Sequence, residues 1–164
     1  MTTTSAAQTH PKVALVIGAG DATGGAIARR FAREGYIACV TRRTADKLQP
    51  LVDAIRAEGG QAFGYSSDAR KEEDVAQLFE QIELEHGPIE VLVFNIGANV
   101  PSSILEETPR KYFKIWEMAC FSGFLNGQAA ARRMVTRGRG TILFTGATAA
   151  LRGAANFEIG RAHV

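Results

Sequence analysis

Short apolar runs alternate with helical patterns along this chain, and that alternation constrains the possible fold more than any other feature. Between the runs, apolar residues recur at i, i+3, i+4 and i+7, which is the spacing of one helix face. Strands that alternate with such helices build a parallel sheet with right-handed crossovers. The pattern therefore predicts an α/β fold, a doubly wound parallel sheet (Rossmann fold) with about five strands. The runs predicted as strands are 13–17, 37–40, 61–66, 89–94 and 141–145.

Local signals predict where two of the helices begin. Asp46 precedes the second helical pattern, and its short acidic side chain is suited to the N-cap position. Thr108 followed by Pro109 combines a cap residue with a first-turn proline. We therefore expect a long helix from this pair to about Met134.

Composition and charge exclude several functional classes. The 164 residues are 46% hydrophobic and 22% charged, as in an ordinary globular domain. A net charge of +2 is too small to favour a nucleic acid or a membrane surface as a partner. Cys39 and Cys120 lack the spacing of metal ligands or redox pairs, so we expect free thiols, no metal site and a cytoplasmic location. Residues 1–11 are predicted to be a flexible leader to a domain over 12–157.

The turn after the first predicted strand is rich in glycine and leads directly into a helix. Glycines allow the backbone to approach a diphosphate, and the helix N-terminus offers unpaired N–H groups to it. The strict G-x-G-x-x-G pattern is not met, because Thr23 stands where the third glycine belongs. A tight turn without a ligand is the alternative interpretation. The residues of this turn predicted to bind a nucleotide cofactor are Gly18, Gly20, Asp21, Thr23 and Gly24.

The same turn resembles the T-G-x-x-x-G-x-G motif of short-chain dehydrogenases. Gly18 and Gly24 match two of its three glycines, and Ala22 stands at the middle one. SSDA, with Asp68 and Ala69, resembles the family's segment after the third strand, where an Asp lies against the adenine. FNIG resembles the family's N-N-A-G after the fourth strand. It contains Asn95, Ile96 and Gly97.

The chain is thus identified as a member of this family over residues 12–157, where Trp116, Gly123 and the stretch RRMVTRGRGTILFT also resemble the family. Membership implies an oxidoreductase that binds NAD or NADP and moves a hydride to or from a carbonyl or hydroxyl group. It also implies a small-molecule substrate and a parent protein that is a homo-oligomer.

The end of the second strand predicts which of the two cofactors is used. An acidic residue there accepts hydrogen bonds from the free ribose 2′-hydroxyl of NAD, whereas an Arg accommodates the 2′-phosphate of NADP. Arg42 occupies the place of the family's Asp, and Arg43 follows it. We therefore expect NADP rather than NAD, with two solvated loop charges as the alternative.

The family's catalytic residues are an Asn, a Ser, a Tyr and a Lys, and the match to them fails. Cys120 stands at the Asn position and Ala147 at the Ser position, and neither side chain can take over the role. The Tyr and Lys belong to a segment expected after the last residues of this chain. The resemblance also implies further strands in that segment, so the Rossmann sheet is expected to be incomplete here. We therefore predict no catalytic residue here and no activity for this chain alone.

Residues 158–164 fit nothing in the family pattern that precedes them. They can be read as the translation of an oligonucleotide that resembles a common sequencing adapter. We therefore expect a non-native tail after about Phe157, on the N-terminal fragment of a longer parent protein.

Two other functional classes stay open at this stage. Cys120 and Ala147 favour a non-catalytic nucleotide-binding protein on the same fold. A receiver-like signalling domain is the third interpretation, but the acidic cluster that it needs is reduced to Asp21.

Overall fold

A parallel β-sheet forms the centre of the computed structural model, which describes residues 12–98 and 100–147. Over these ranges the sheet has five strands in the order β3-β2-β1-β4-β5, and each neighbouring pair is parallel. This arrangement confirms the predicted fold class. The strands are β1 (Val13–Ile17), β2 (Ile37–Arg42), β3 (Gln61–Ser66), β4 (Ile89–Phe94) and β5 (Thr141–Phe144).

Helices connect successive strands and cover both faces of the sheet. Leu15 and Cys39 point to one face, where they pack with residues of the helices α3 and α5, while Val16 and Val40 pack with α1 and α2 on the other. Every residue of β1 is buried, as expected for a strand covered on both sides. The helices are α1 (Thr23–Arg33), α2 (Gln49–Ala57), α3 (Glu72–His86), α4 (Pro109–Trp116) and α5 (Ser122–Arg137).

The predicted start of the second helix was wrong. Asp46 lies inside a short 3-10 helix, Ala45–Leu48, and Leu48 occupies the N-cap position of α2. Pro50 explains the start, because a proline has no N–H to donate and its fixed φ suits the first helical turn.

The long helix after Thr108 is real but not uniform. The Thr108 side chain accepts a hydrogen bond from the Lys111 backbone N–H at 3.2 Å, as expected of a cap. Between α4 and α5, residues Glu117–Phe121 form a π-helical turn, which we call the π segment. The helical path ends at Arg137, beyond the predicted Met134, where Gly138 takes a φ of +69°.

Two strand ends also differ from the sequence prediction. β2 continues past Val40 because Thr41 and Arg42 pair in register with Tyr65 and Ser66 of β3. β5 ends one residue early, at Phe144. Among the described helices, none has the length and apolar character that crossing a bilayer requires.

Candidate functional site

The loops that follow β1, β2 and β4 meet at the carboxyl edge of the sheet. The backbone N–H groups of Gly18 and Ala19 donate to the Thr41 carbonyl at 3.2 and 3.1 Å, and the Asn95 N–H donates to the Ile17 carbonyl at 2.9 Å. Since β1 lies between β2 and β4, the chain changes direction across the sheet here. Open α/β sheets bind ligands in the crevice at such a point.

Two glycines close the turn between β1 and α1. Gly18 has a φ of +82°, and a Cβ placed on it would lie 2.7 Å from Cγ1 of Ile96. A Cβ on Gly24 would lie 2.7 Å from the Gly18 carbonyl oxygen and 2.9 Å from Nδ2 of Asn95. The turn therefore keeps its shape only with glycine at both positions.

Asn95 holds this turn from the opposite strand. Its side-chain Nδ2 donates to the carbonyl oxygen of Gly18 at 3.1 Å. The side chain thereby links the end of β4 to the end of β1. Ile96 follows on the same loop, half-buried, while Gly97 is exposed.

The first turn of α1 lies open on the other side of the glycine turn. Nothing lies within 4 Å of a Cβ built on Gly20, and Asp21 and Thr23 are exposed. Over the described residues, α1 has no side-chain cap and no acidic residue in its first turn. Its N–H groups are therefore available to an anion.

A cavity of about 180 Å³ lies at the same edge of the sheet. Six of the residues predicted to bind cofactor line it, together with Arg70 and Met118, which sequence reasoning missed. Gly20, Asp21, Thr23, Gly24, Asn95 and Gly97 do not line it. The six are Gly18, Arg42, Arg43, Asp68, Ala69 and Ile96.

A larger cavity, of about 320 Å³, lies against the outer strand β3 and contains none of the predicted residues. Its polar groups include Asp46, Arg56 and Glu85. Arg56 donates to the Ala62 carbonyl at 3.0 Å, and Glu85 accepts from the Tyr65 hydroxyl at 2.7 Å. Arg56 and Glu85 are therefore committed to the protein itself.

Arg42 and Arg43 stand at the end of β2, half-buried and exposed respectively. Their carbonyl oxygens accept hydrogen bonds from Ser67 N–H and from the Ser66 hydroxyl. Within ranges 12–98 and 100–147, neither guanidinium group has an ion pair or a hydrogen bond. Both positive charges are therefore available to a ligand.

The carboxylate of Asp68 is held by Arg70. Arg70 Nε donates to Oδ1 at 2.9 Å and Nη2 donates to Oδ2 at 2.6 Å, while the Asp68 N–H donates to Asp74. This pairing lowers the pKa of Asp68 to about 2, and the charge of Arg43 adds to the effect. Asp68 is therefore ionised throughout the neutral range.

Asn126 ties the loop that carries Asp68 to the helix α5. Its Nδ2 donates to the Ala69 carbonyl at 3.2 Å and to the Ser122 carbonyl at 2.8 Å. The side chain is fully buried, and its Oδ1 has no partner among the described residues. A polar residue on the buried face of a helix was the signal that could have revealed this role.

The two positions that correspond to the family's Asn and Ser lie on different elements. Cys120 lies half-buried in the π segment, and Ala147 lies exposed after β5. The nearby Thr145 hydroxyl donates to the Phe94 carbonyl at 3.3 Å. The two matched positions supply neither the amide nor the hydroxyl of the family. Across the described residues, no group of His, Cys, Asp or Glu could hold a metal ion.

Comparison with known proteins identifies the family. The family model described as short chain dehydrogenase matches residues 12–159. The chain belongs to this family. A short-chain dehydrogenase from Rhodopseudomonas palustris has a solved structure that is 46% identical, with a TM-score of 0.87 over 93% of this chain and 71% of that one.

Two further relatives illustrate the breadth of the family. The 7alpha-hydroxysteroid dehydrogenase of Escherichia coli (strain K12) is 33% identical over 133 residues, which cover 80% of this chain and 51% of that protein. A variant of actinorhodin polyketide ketoreductase, solved with NADPH, is 26% identical with a TM-score of 0.86, over 93% of this chain and 58% of that one. The chain spans about half the length of the curated relatives that it matches.

Proposed function

We propose that this chain binds NADP at the carboxyl edge of its sheet, as the cofactor-binding part of an oxidoreductase. The observation that carries the proposal is a pair of guanidinium groups on the wall of the cavity, those of Arg42 and Arg43, which have no ion pair or hydrogen bond within the described residues. Arg presents a rigid fork of donors that matches a phosphate, and no carboxylate follows β2 directly to repel one.

The residues present fit such a cofactor. A Cβ would clash at Gly18 and at Gly24, whereas the space over Gly20 is open. Both features suit a turn that a diphosphate approaches closely. Asp68 and Ala69 would hold the adenine side, and the loop Asn95, Ile96 and Gly97 would hold the nicotinamide side. When bound, the nicotinamide supplies or accepts a hydride.

The reaction proposed for the whole protein is hydride transfer to or from a carbonyl or hydroxyl group of a small molecule. Family membership supports it, as do relatives whose names are those of dehydrogenases and a ketoreductase. We propose that the chain is the N-terminal part of that protein, inactive without the rest, because it spans about half the length of the curated relatives.

A non-catalytic NAD(P)-binding protein is the second candidate. Cys120 and Ala147 favour it, because neither can carry the role that the family's Asn and Ser have. Sequencing the source gene across codon 157 separates the candidates. A Y-x-x-x-K segment downstream supports the enzyme, and an uninterrupted reading frame without it supports the binder.

Nucleotide titration tests the cofactor proposal directly. We expect NADPH to bind the chain more tightly than NADH by about tenfold or more, the contribution of one charge-assisted hydrogen bond. Arg42→Asp should abolish or reverse that preference, and Arg30→Asp, at an exposed position of α1, should leave it unchanged. Equal binding of both nucleotides, or binding of neither, would overturn the proposal.

Two further proposals concern the parent protein. A row of neighbouring aromatic rings along α4, the π segment and α5 supports a homo-oligomer, since Phe113 and Phe124 are exposed. Cys39 and Cys120 form no disulfide in the described part of the chain, which supports a reducing compartment such as the cytoplasm.

A further inference from the structure

We propose that Arg70 is a positioning residue that sets cofactor preference, because it neutralises Asp68 and so leaves Arg43 free for a 2′-phosphate. This inference rests on the proposed function, and it names the residue that regulates the charge of the same site. Arg70 itself does not bind the phosphate.

The charges that line the cavity motivate this inference. The described lining residues carry three guanidinium groups, on Arg42, Arg43 and Arg70, and one carboxylate, on Asp68. A carboxylate beside a phosphate monoester, which carries about −1.5 to −2 charge at neutral pH, would repel it. An unpaired Asp68 would also compete with the phosphate for the nearest free cation.

Arg43 is the cation that Asp68 would capture. The charge of Arg43 already lowers the pKa of Asp68, so the two groups lie within electrostatic reach of each other. In the structure, however, both oxygens of Asp68 accept hydrogen bonds from Arg70. Within the part of the chain that the structure describes, the Arg43 guanidinium therefore donates no hydrogen bond.

The geometry of Arg70 explains why it acts through Asp68 and not on the ligand. Its Nε and Nη2 are bonded to Asp68, and its Nη1 lies 3.9 Å from Oε2 of Glu117 on the π segment. The backbone N–H of Arg70 also donates to Oδ1 of Asp68, at 3.2 Å. The side chains of Arg70 and Asp68 are 26% and 16% exposed, so solvent screens the pair only in part. The positive charge of Arg70 is thus shared between two carboxylates.

The test compares the chain with its Arg70→Met and Asp68→Asn/Arg70→Met variants. Dissociation constants are measured for NADPH, NADH and 2′,5′-ADP by titration. We expect Arg70→Met to weaken NADPH and 2′,5′-ADP by about tenfold while NADH changes little, the effect of one lost charge-assisted contact to phosphate. The NADPH affinity of Arg70→Lys should lie between those of the unmodified chain and Arg70→Met, because Lys cannot donate two parallel hydrogen bonds to the Asp68 carboxylate.

The double variant distinguishes this role from a structural one. Removal of the carboxylate in Asp68→Asn/Arg70→Met should restore the NADPH preference, because nothing then competes for Arg43. Any loss of adenine contacts at Asp68 affects both nucleotides equally and cancels in their ratio. If Arg70→Met weakens both nucleotides equally, or if the double variant shows no recovery of the ratio, the inference is wrong.

The outcome for the unmodified chain separates this inference from the proposed function. If the chain binds NADPH no better than NADH, the NADP proposal itself fails. If the chain prefers NADPH and Arg43→Ala removes that preference, yet Arg70→Met does not change the ratio, only the role of Arg70 is refuted. Circular dichroism of each variant confirms that it is folded.

Discussion

Asn95 donates its side-chain amide to the carbonyl of Gly18 across 77 positions of sequence, and this bond joins β4 to the glycine turn after β1. A Cβ on Gly24 would come within 2.9 Å of the same amide nitrogen. The turn, the start of α1 and the loop after β4 therefore form one packed unit. A substitution that disrupts one of these contacts should lower the stability of the whole unit.

Substitution of Asn95 tests this unit. Asn95→Ala removes the donor to Gly18 and should lower the free energy of unfolding by about 1 kcal/mol. Asn95→Asp should cost more, because it turns an acceptor with a negative charge toward the Gly18 carbonyl. Urea unfolding at pH 7 measures both. If Asn95→Asp is as stable as the unmodified chain, the bond does not hold the turn.

Alanine substitutions at Gly24 and Gly20 separate the structural role of the glycine turn from its role in binding. Gly24→Ala should destabilise the fold, because its Cβ would meet backbone atoms of Gly18 and Ala19 at 2.7 and 2.8 Å. Gly20→Ala should leave stability unchanged but weaken NADPH binding, because its Cβ would enter open space that a diphosphate needs. Urea midpoints and NADPH titration measure the two effects. Unchanged NADPH binding by a folded Gly20→Ala variant would show that phosphate does not approach there.

His86 should make stability depend on pH. Its ring stacks on Phe63 with centroids 4.1 Å apart, and Nε2 lies 2.7 Å from the Tyr65 hydroxyl. Burial lowers the pKa of His86 below its ordinary 6.5, although the charge of Glu85 opposes the shift. As pH falls through 6.5, the unfolded chain takes up a proton that the folded chain resists, so the free energy of unfolding should fall.

His86→Phe is the control for that pH dependence, because it keeps the stacking on Phe63 and removes the titrating group. Urea unfolding between about pH 7.5 and 5.5 should show a smaller decrease in stability for the variant. The same decrease in both proteins would assign the pH dependence to other groups.

Arg137 should contribute more to stability than an exposed ion pair does. Its Nη1 lies 2.9 Å from Oε1 of Glu83 and its Nη2 donates to the Ile89 carbonyl at 2.6 Å, with the side chain 23% exposed. Arg137→Met should therefore cost about 2 kcal/mol, because it removes this donor from the carbonyl of the buried Ile89. Arg30→Met removes the well-exposed pair with Glu34 and should cost less than about 0.5 kcal/mol. Equal losses in urea unfolding would contradict this ranking.

The sequence determined most of the sheet because its signals are local. β1, β3 and β4 have the predicted bounds. β1 and β4 are apolar runs that follow a proline, and β3 is a more polar segment that begins directly after Gly59 and Gly60. The predicted fold class and family also depend on such local signals, and both are confirmed. The cofactor preference and the lack of catalytic residues stay predictions. The predicted leader, the tail and the end of the domain lie outside the described residues.

Tertiary structure decided the groups that surround the site. Arg70 and Met118 carry no local pattern that marks them. Asn126 is marked only as a polar residue on a buried helix face, and its contact with Ala69 spans 57 positions of sequence. The pairing of Thr41 and Arg42 with β3 extended β2 beyond its apolar run, which placed both arginines at the edge of the ladder. A sequence records which charges are present, but only packing decides which of them neutralise one another and which stay free for a ligand.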